Sequence, residues 1–236
     1  MNIGLIVPPQ NSVNEIEWRR MLPSGVDFSL VRIPLHADTE SPAGKRHLHA
    51  DLQKSLDELK PSRPDVIAYA CTAGSMSKPL DGLTDAMTQM CGRPCVATAP
   101  ALIKACKKLG LKKLAIATPY HDALNQHEVH FFEENGIRVL NIRGLGIGAG
   151  GPHEYVQLAK VPKDQVYAHA RGTWVPDADG MVVSCTDFAS LEALPRLERE
   201  LSKPVISSNT ATLWAALRAA GVDRRIPGFG RLLQEH

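Results

Sequence analysis

Two cysteines occupy matching positions in this chain of 236 residues. Cys71 follows the short apolar run 67–70, Cys185 follows the run 181–184, and a threonine comes directly after each cysteine. Each run predicts a buried parallel strand, and the residues after each threonine are able to start a helix. A thiol at that point meets the backbone N–H groups of a helix start, and their field favours the reactive thiolate. A lone cysteine is usually a packing residue, but two in matched settings indicate one active site with a sulfur on each side of the substrate.

The two cysteines belong to a longer internal repeat. Cys71 and Cys185 are separated by nearly the same number of residues as Pro94 and Pro204, each of which leads into a short strand and a helical stretch. The repeats of solenoid proteins are only about 20–50 residues long, so a repeat of this length indicates a duplicated domain.

Strand and helix patterns alternate along the whole chain, which predicts an α/β fold with parallel sheets and helices on both faces. The predicted strands are 3–7, 28–33, 65–70, 94–98, 113–118, 137–142, 179–184 and 204–207. The helical patterns include 45–60, 100–109, 122–135, 188–201 and 210–220. Open α/β sheets bind ligands at the carboxyl ends of their strands. The loops there are rich in Ser, Thr, Asn, Cys and Tyr and hold few charges, which suits hydrogen-bonded recognition of a small anion.

Composition narrows the class of protein. The chain has 27 Lys and Arg against 25 Asp and Glu, a net charge of +2, which gives no reason to expect nucleic acid or a membrane as partner. It has no basic region before its first apolar run and no apolar stretch of the roughly 18 residues that span a bilayer. Five cysteines, an odd number, favour free thiols in a reducing compartment over a disulfide framework. We therefore expect a cytoplasmic protein.

Several segments together resemble a known group of enzymes. They are 8–11, 70–75, 118–120, 184–186 and 207–214. Across essentially the whole chain they resemble the aspartate/glutamate racemase superfamily, and most of all its branch of maleate cis–trans isomerases and arylmalonate decarboxylases. The resemblance implies two Rossmann-like lobes related by pseudo-twofold symmetry, with residues 1–98 plus 208–236 in the first and 99–207 in the second. It places the active site in the cleft between them, and implies catalysis with no metal, flavin, nicotinamide or pyridoxal phosphate.

The resemblance also assigns roles to individual residues by position. Cys71 and Cys185 would be the catalytic pair, while Asn11 and Tyr120 would hold a substrate carboxylate. The other residues that it places around the same anion are Thr72, Ala73, Thr186 and Asn209, the last of them shaping the site from the last strand. As partners we expect a small carboxylate substrate; a homo-oligomer is left open.

The presence of both thiols favours an isomerase or a racemase. A racemase needs a base on one face of the substrate and an acid on the other, and an isomerase can add one thiolate to a cis double bond. Decarboxylases of this branch keep only the second cysteine, so decarboxylation of a malonate-type diacid with Cys185 as proton donor is the alternative. Family isomerases often carry an Asn after the Gly-Leu-Gly-Ile stretch, where this chain has Gly148-Ala149-Gly150. That departure argues against maleate itself as substrate.

A non-catalytic solute receptor is the competing class of function, because two α/β lobes around a cleft also describe such receptors. A receptor would normally carry a secretion signal, and it would not need two thiols at strand ends.

Three other features have simpler interpretations. The stretch 146–151 matches G-x-G-x-x-G, but Pro152 interrupts the helix start that a dinucleotide site needs, so we expect a mobile glycine lid. Cys91 and Cys95 have a spacing within reach of zinc ligands, but no second ligand pair follows, so we expect no metal. Cys106 should be a packing residue. For the histidines at positions 121 and 127, after 118–120, a surface role is the first expectation and contact with the site is the alternative.

Overall fold

The computed structural model describes residues 1–36, 38–39 and 41–236. Its strands are β1 (Asn2–Val7), β2 (Asp27–Arg32), β3 (Val66–Tyr69), β4 (Cys95–Ala97), β5 (Lys113–Ala117), β6 (Arg138–Arg143), β7 (Gly180–Val183) and β8 (Val205–Ser207). Its helices are α1 (Val13–Met21), α2 (Pro42–Leu59), α3 (Thr72–Ser75), α4 (Gly82–Cys91), α5 (Thr98–Lys108), α6 (Asp122–Glu134), α7 (Lys163–Thr173), α8 (Ala193–Leu201), α9 (Ser208–Ala219) and α10 (Arg231–Glu235), with 3-10 helices at Lys60–Ser62 and Pro152–Lys160.

The strands form two parallel sheets of four, in the orders β2-β1-β3-β4 and β6-β5-β7-β8. Every neighbouring pair is parallel. The inner strands are apolar because helices cover both of their faces; Ile3, Leu5, Leu114 and Ile116 are fully buried. The predicted α/β architecture and all eight predicted strands are confirmed. The same strand order in both halves is what an internal duplication predicts.

The two sheets exchange one helix each. Helix α5 follows β4 of the first sheet, yet its Leu102 and Cys106 pack in one core with Leu114 of the second sheet. Helix α9 follows β8 of the second sheet, yet its Leu213 and Leu217 pack in the core of the first sheet. The bounds of the predicted lobes, 1–98 plus 208–236 and 99–207, stay a prediction. The packing of Cys106, which is fully buried, agrees with its predicted role.

The segment after Cys185 differs from the prediction. The helix expected over 188–201 begins only at Ala193, and 186–188 form a turn. Cys185 has a φ of +101°, which is unfavourable for a residue with a Cβ and turns the chain sharply at the end of β7. The residues beyond it donate to or accept from α1 instead of forming a helical turn of their own.

None of the helices in the described ranges is both long and apolar enough to cross a membrane.

Candidate active site

The carboxyl ends of both sheets border one cavity of about 680 Å³. Cys71, in the loop after β3, and Cys185, in the loop after β7, both line it. The other predicted residues that line it are Asn11, Thr72, Ala73, Tyr120 and Thr186. The structure therefore brings together two cysteines and five candidate binding residues that are far apart in the sequence.

Cys71 is the N-cap of the one-turn helix α3. Its Sγ accepts a hydrogen bond from the backbone N–H of Gly74 at 3.3 Å, and it also has a side-chain hydrogen bond with Tyr69. A Cβ at Gly74 would lie 2.5 Å from Tyr69 Oη and 3.0 Å from Cys71 Sγ. Only glycine lets the thiol and the phenol come this close together. Tyr69, which also lines the cavity, was not found by the sequence analysis because it reads as an ordinary residue of a buried strand.

Cys185 is held by a different local structure. Its Sγ accepts a hydrogen bond from the backbone N–H of Asp187 at 3.4 Å, and it has a side-chain hydrogen bond with Tyr120. A φ of +101° is unfavourable for a residue with a Cβ, and such strained residues cluster at functional sites. Each half of the molecule thus supplies one thiol, one backbone N–H donor and one buried tyrosine.

Burial raises the pKa of both cavity thiols, Cys71 and Cys185, above the ordinary value of a cysteine. The hydrogen bonds from Tyr69 and Gly74 at Cys71, and from Tyr120 and Asp187 at Cys185, oppose that rise without cancelling it. The backbone N–H donors lower the pKa at both positions, as the sequence predicts, but burial outweighs them. The helix after Cys71 has a single turn, none follows Cys185 directly, and desolvation of the charged form outweighs the remaining donors.

Ser208, the first residue of α9, links the two cysteine loops. Its Oγ accepts a hydrogen bond from the backbone N–H of Cys185 at 3.0 Å and lies 2.9 Å from Thr72 Oγ1. The sequence analysis missed this bridge. The available signal was the capping box at the start of α9, in which Ser207 Oγ accepts from the backbone N–H of Thr210.

Asn11 and Thr186 meet in the cavity wall, one from each half of the chain. Asn11 Nδ2 donates to Thr186 Oγ1 at 2.8 Å, and Thr186 Oγ1 donates to the carbonyl oxygen of Ala70 at 3.1 Å. Arg32 Nη1 donates to the carbonyl oxygen of Asn11 at 2.7 Å and so holds its loop. Both side chains are thereby aligned before any substrate binds.

Asn209 lies in α9 rather than in the last strand, and it is not among the residues that line the cavity. It is fully buried behind the wall, where Nδ2 donates to Glu17 Oε2 at 2.7 Å and to the carbonyl oxygen of Thr186 at 3.1 Å. Its Oδ1 accepts from Asn14 Nδ2. The expectation of direct substrate contact is not supported by this position; Asn209 is placed to position Thr186.

Helix α1 holds the segment after Cys185 at both ends. Asp187 Oδ1 accepts from the backbone N–H groups of Ser12 and Val13 at 2.9 and 3.0 Å. Glu17 Oε1 accepts from the backbone N–H of Leu191 at 2.8 Å. Burial raises the pKa of Glu17 to about 7 and that of Asp187 to about 6.

The outer wall of the cavity is built by residues that the sequence analysis did not select. His121 and His127 line it, contrary to the expected surface role, because α6 turns this face toward the cleft. Leu35, Leu124 and Tyr155 also line it. The described part of the wall contains no Lys or Arg, so hydroxyl, amide, imidazole and backbone N–H groups are the donors available to an anion there.

The glycine-rich stretch 144–151 supports Tyr120. The backbone N–H of Gly146 donates to the carbonyl oxygen of Tyr120 at 3.1 Å, and that of Gly148 donates to Glu154 Oε2 at 2.8 Å. Because the chain's own groups occupy these donors, the stretch does not offer a phosphate site. Its mobility as a lid stays a prediction.

Among the described residues, no group of three or more His, Cys, Asp and Glu side chains is arranged to hold a metal ion.

Comparison with known proteins places this cavity in a recognisable group of enzymes. The chain is 30% identical over 237 residues to an arylmalonate decarboxylase of Bordetella bronchiseptica, covering 99% of this chain and 96% of the relative. It is 29% identical over 247 residues to a maleate isomerase of Nocardia farcinica, covering 99% and 95%. The structure of a cysteine-to-alanine variant of maleate isomerase from Pseudomonas putida S16 with maleate matches with a TM-score of 0.88 at 26% identity, over 99% of this chain and 97% of that chain.

The family described as arylmalonate decarboxylase matches residues 3–233. A match over nearly the full length, together with two thiols at the carboxyl ends of matched strands, shows that the chain belongs to the arylmalonate decarboxylase family.

Proposed function

We propose that the protein is a cofactor-independent isomerase that acts on a small carboxylate or dicarboxylate with Cys71 and Cys185. The observation that carries the proposal is that both thiols line one cavity, each from its own half of the chain. A proton donor and a nucleophile, or an acid and a base, are then available on two sides of one substrate. A cis–trans isomerase and a racemase both meet this description.

For a cis-alkene diacid, Cys71 acts as nucleophile, since it is partly exposed, whereas Cys185 is 4% exposed. Cys71 Sγ, after releasing its proton to solvent, bonds to one alkene carbon, and the π electrons move toward the other carbon and its carboxylate. Cys185 donates its proton to that second carbon. The new single bond rotates; Cys185 then takes a proton back and the C–S bond breaks to give the trans product. A cysteine-to-serine variant of the Nocardia farcinica maleate cis–trans isomerase carries a succinylcysteine intermediate, which supports a covalent route.

Negative charge develops on the substrate carboxylate in this step and in α-proton removal. The hydroxyls of Thr72 and Tyr120 and the amide of Asn11 line the cavity and are the candidate donors to it. The single O–H of Tyr120 can serve either the carboxylate or Cys185 Sγ, so it would turn from one to the other during the reaction. One such donor lowers a barrier by about 3–4 kcal/mol in known oxyanion holes. The raised pKa of Cys71 adds a requirement: its proton must leave as substrate binds, and the hydrogen bonds from Tyr69 and Gly74 favour that loss.

Proton NMR in D2O tests the proposal directly. The protein is incubated with maleate, with single enantiomers of small α-substituted carboxylates and with substituted malonates. We expect conversion of a cis alkene, or exchange and racemisation at an α carbon. Loss of CO2 alone, with no isomerisation and no racemisation of any compound, would contradict an isomerase.

Decarboxylation is the second candidate, with Cys185 as the proton donor. It is favoured by the 30% identity to an arylmalonate decarboxylase, and by a cavity larger than a four-carbon diacid needs, with Leu35, Leu124 and Tyr155 on its wall. Cys71→Gly separates the two candidates. If the protein is an isomerase, this change abolishes isomerisation and leaves at most weak protonation of one face. If native protein and variant decarboxylate a malonate at equal rates and with the same handedness, Cys71 is structural.

We further propose a cytoplasmic location. All five cysteines are free, as a reducing compartment favours. Fractionation of the native cells with thiol trapping would test it.

A further inference from the structure

A second pair of thiols lies outside the cavity. Cys91 is the last residue of α4 and Cys95 is the first residue of β4. Gly92, with a φ of +66°, turns the chain back between them. The two Sγ atoms are 3.6 Å apart, and both lie close to the carbonyl oxygen of Arg93, at 3.7 and 3.4 Å. Both cysteines are half-buried, so reagents in solution can reach them.

We propose that Cys91 and Cys95 form a reversible intramolecular disulfide, a redox site separate from the catalytic pair. A disulfide has an S–S length of about 2.05 Å, so the sulfurs must approach by roughly 1.5 Å. Rotation of the two side chains covers that distance. Among the hydrogen bonds between described residues, the Cys91–Cys95 contact is the one in which both atoms are sulfur.

The chemistry balances with a small-molecule disulfide such as oxidised glutathione as the oxidant. Cys91 loses its proton to solvent, and its Sγ attacks one sulfur of the reagent. A mixed disulfide forms and one glutathione thiolate leaves. Cys95 then loses its proton and attacks Cys91 Sγ, which forms the Cys91–Cys95 bond and releases the second glutathione thiolate. Two electrons have passed from the cysteines to the reagent.

The order of attack follows from the surroundings of Cys95. Burial and the neighbouring Cys91 raise the pKa of Cys95 to about 12, so this thiol holds its proton at the start. Once Cys91 is in a mixed disulfide it carries no negative charge, and that part of the rise disappears. We assign Cys91 as the attacking thiol and Cys95 as the resolving one, an order that the variants below test.

The site is remote from the cavity. Cys95 pairs with Ile67 near the beginning of β3, whereas Cys71 lies four residues further along, beyond the end of that strand. At about 3.3 Å per residue the separation along the sheet is roughly 13 Å. Neither Cys91 nor Cys95 lines the cavity. Oxidation of this pair should leave turnover unchanged.

The test compares protein equilibrated with reduced and with oxidised glutathione. Remaining thiols are alkylated under denaturing conditions and located by peptide mass spectrometry. We expect the oxidised sample to lose two alkylation sites, with an internal crosslink in the peptide that spans 91–95. Five alkylated cysteines, or a crosslink that involves Cys71 or Cys185, would overturn the proposal.

Two variants sharpen the assignment. In Cys95→Ser no resolving thiol remains, so a glutathione adduct should accumulate on Cys91 and disappear on reduction. Cys106→Ser, which removes a fully buried thiol, should form the crosslink as the native protein does. Native protein is treated in parallel and should form the crosslink. If Cys95→Ser then stays free of adduct, Cys91 is not the attacking thiol.

Discussion

At the scale of single residues, the proposed function depends on two contacts, each between a thiol and a phenol. Tyr69 and Cys71 are separated along the chain by one residue, Ala70, and meet over Gly74. On the other side Tyr120 and Cys185 come from distant parts of the second half. Together with the backbone N–H groups of Gly74 and Asp187, the phenols can stabilise a thiolate in a cavity whose burial otherwise disfavours it.

Gly74→Ala should therefore lower turnover at least tenfold. The new Cβ would stand 2.5 Å from Tyr69 Oη, and Tyr69 is 2% exposed with little room to move. The measurement is kcat with the substrate found by NMR. Gly172→Ala is the matched control, since it also lies in a helix and its Cβ would meet nothing closer than 3.7 Å. Full activity of Gly74→Ala would show that the Tyr69–Cys71 contact is unnecessary.

Much of this residue-level picture was predictable from the sequence. The cysteines, Asn11, Thr72, Tyr120 and Thr186 all line the cavity as expected. Their pKa values were not predictable, because the direction depends on how deeply each sulfur is buried. Tyr69 was missed because a tyrosine in an apolar strand gives no sign of which atom its hydroxyl meets.

At the scale of elements, the starts of two helices align the reacting loops. Helix α9 begins with Ser208 between Thr72 and Cys185, and α1 binds Asp187 and Leu191 through its first turns. These contacts join residues that are far apart in the sequence. A hydrophobic pattern in the sequence predicts where the helices lie along the chain, but it does not predict which of their side chains bond to the cysteine loops.

Ser208→Ala should lower kcat about tenfold with little change in KM. The variant leaves the backbone N–H of Cys185 and the hydroxyl of Thr72 without their common partner, so the thiol is less well oriented, while Asn11 and Tyr120 still hold the carboxylate. An unpaired buried group should also cost about 1–3 kcal/mol of unfolding free energy. Steady-state kinetics and chemical denaturation measure both effects.

Ser24→Ala, at an exposed turn, is the control for this substitution. A Ser208→Ala variant that loses stability but keeps the native kcat would reduce Ser208 to a structural residue.

The boundaries of helices are harder to predict from the sequence than their presence. The expected helix over 188–201 starts five residues late. Cys185 has a positive φ, and Asp187 and Leu191 form hydrogen bonds with α1 instead of with a helical turn of their own. Neither the strain at Cys185 nor its partners can be read from a run of residue types.

At the scale of the whole molecule, the duplicated halves share one strand order and exchange a helix. The repeat was visible in the sequence because both halves kept their strand-end cysteines and prolines. The exchange of α5 and α9 places the two cysteine loops against each other, so that neither half alone contains the site.

The pH dependence of stability also belongs to this scale, because carboxyl groups are buried in both halves. Glu128 in α6 is fully buried, and burial raises its pKa from 4.5 to about 7, although Ser184 opposes the rise. A raised pKa means that the folded protein binds the proton more tightly than the unfolded chain does. This contribution is present below pH 4.5 and is lost as the pH rises to about 7.

Glu128→Gln should therefore be more stable than the native protein at pH 8 and nearly equal to it at pH 4. The difference between pKa 4.5 and about 7 corresponds to roughly 3 kcal/mol, which is an upper limit for the gain. Denaturant unfolding at several pH values measures it. Glu133→Gln, exposed on the same helix, is the control. A gain of equal size at both pH values would contradict ionisation of Glu128 as the cause.

The central claim is that two thiols act together on one substrate. It is tested most directly by the turnover of Cys71→Ser and Cys185→Ser, with Cys106→Ser as the control, on the carboxylate that the native protein isomerises or racemises. A serine hydroxyl has nearly the shape of a thiol but is far less acidic. Each catalytic variant should therefore lose about 100-fold or more in kcat while its circular dichroism and melting temperature stay native, and Cys106→Ser should keep its activity. If either catalytic variant turns over within a few-fold of the native rate, the paired-thiol mechanism is wrong.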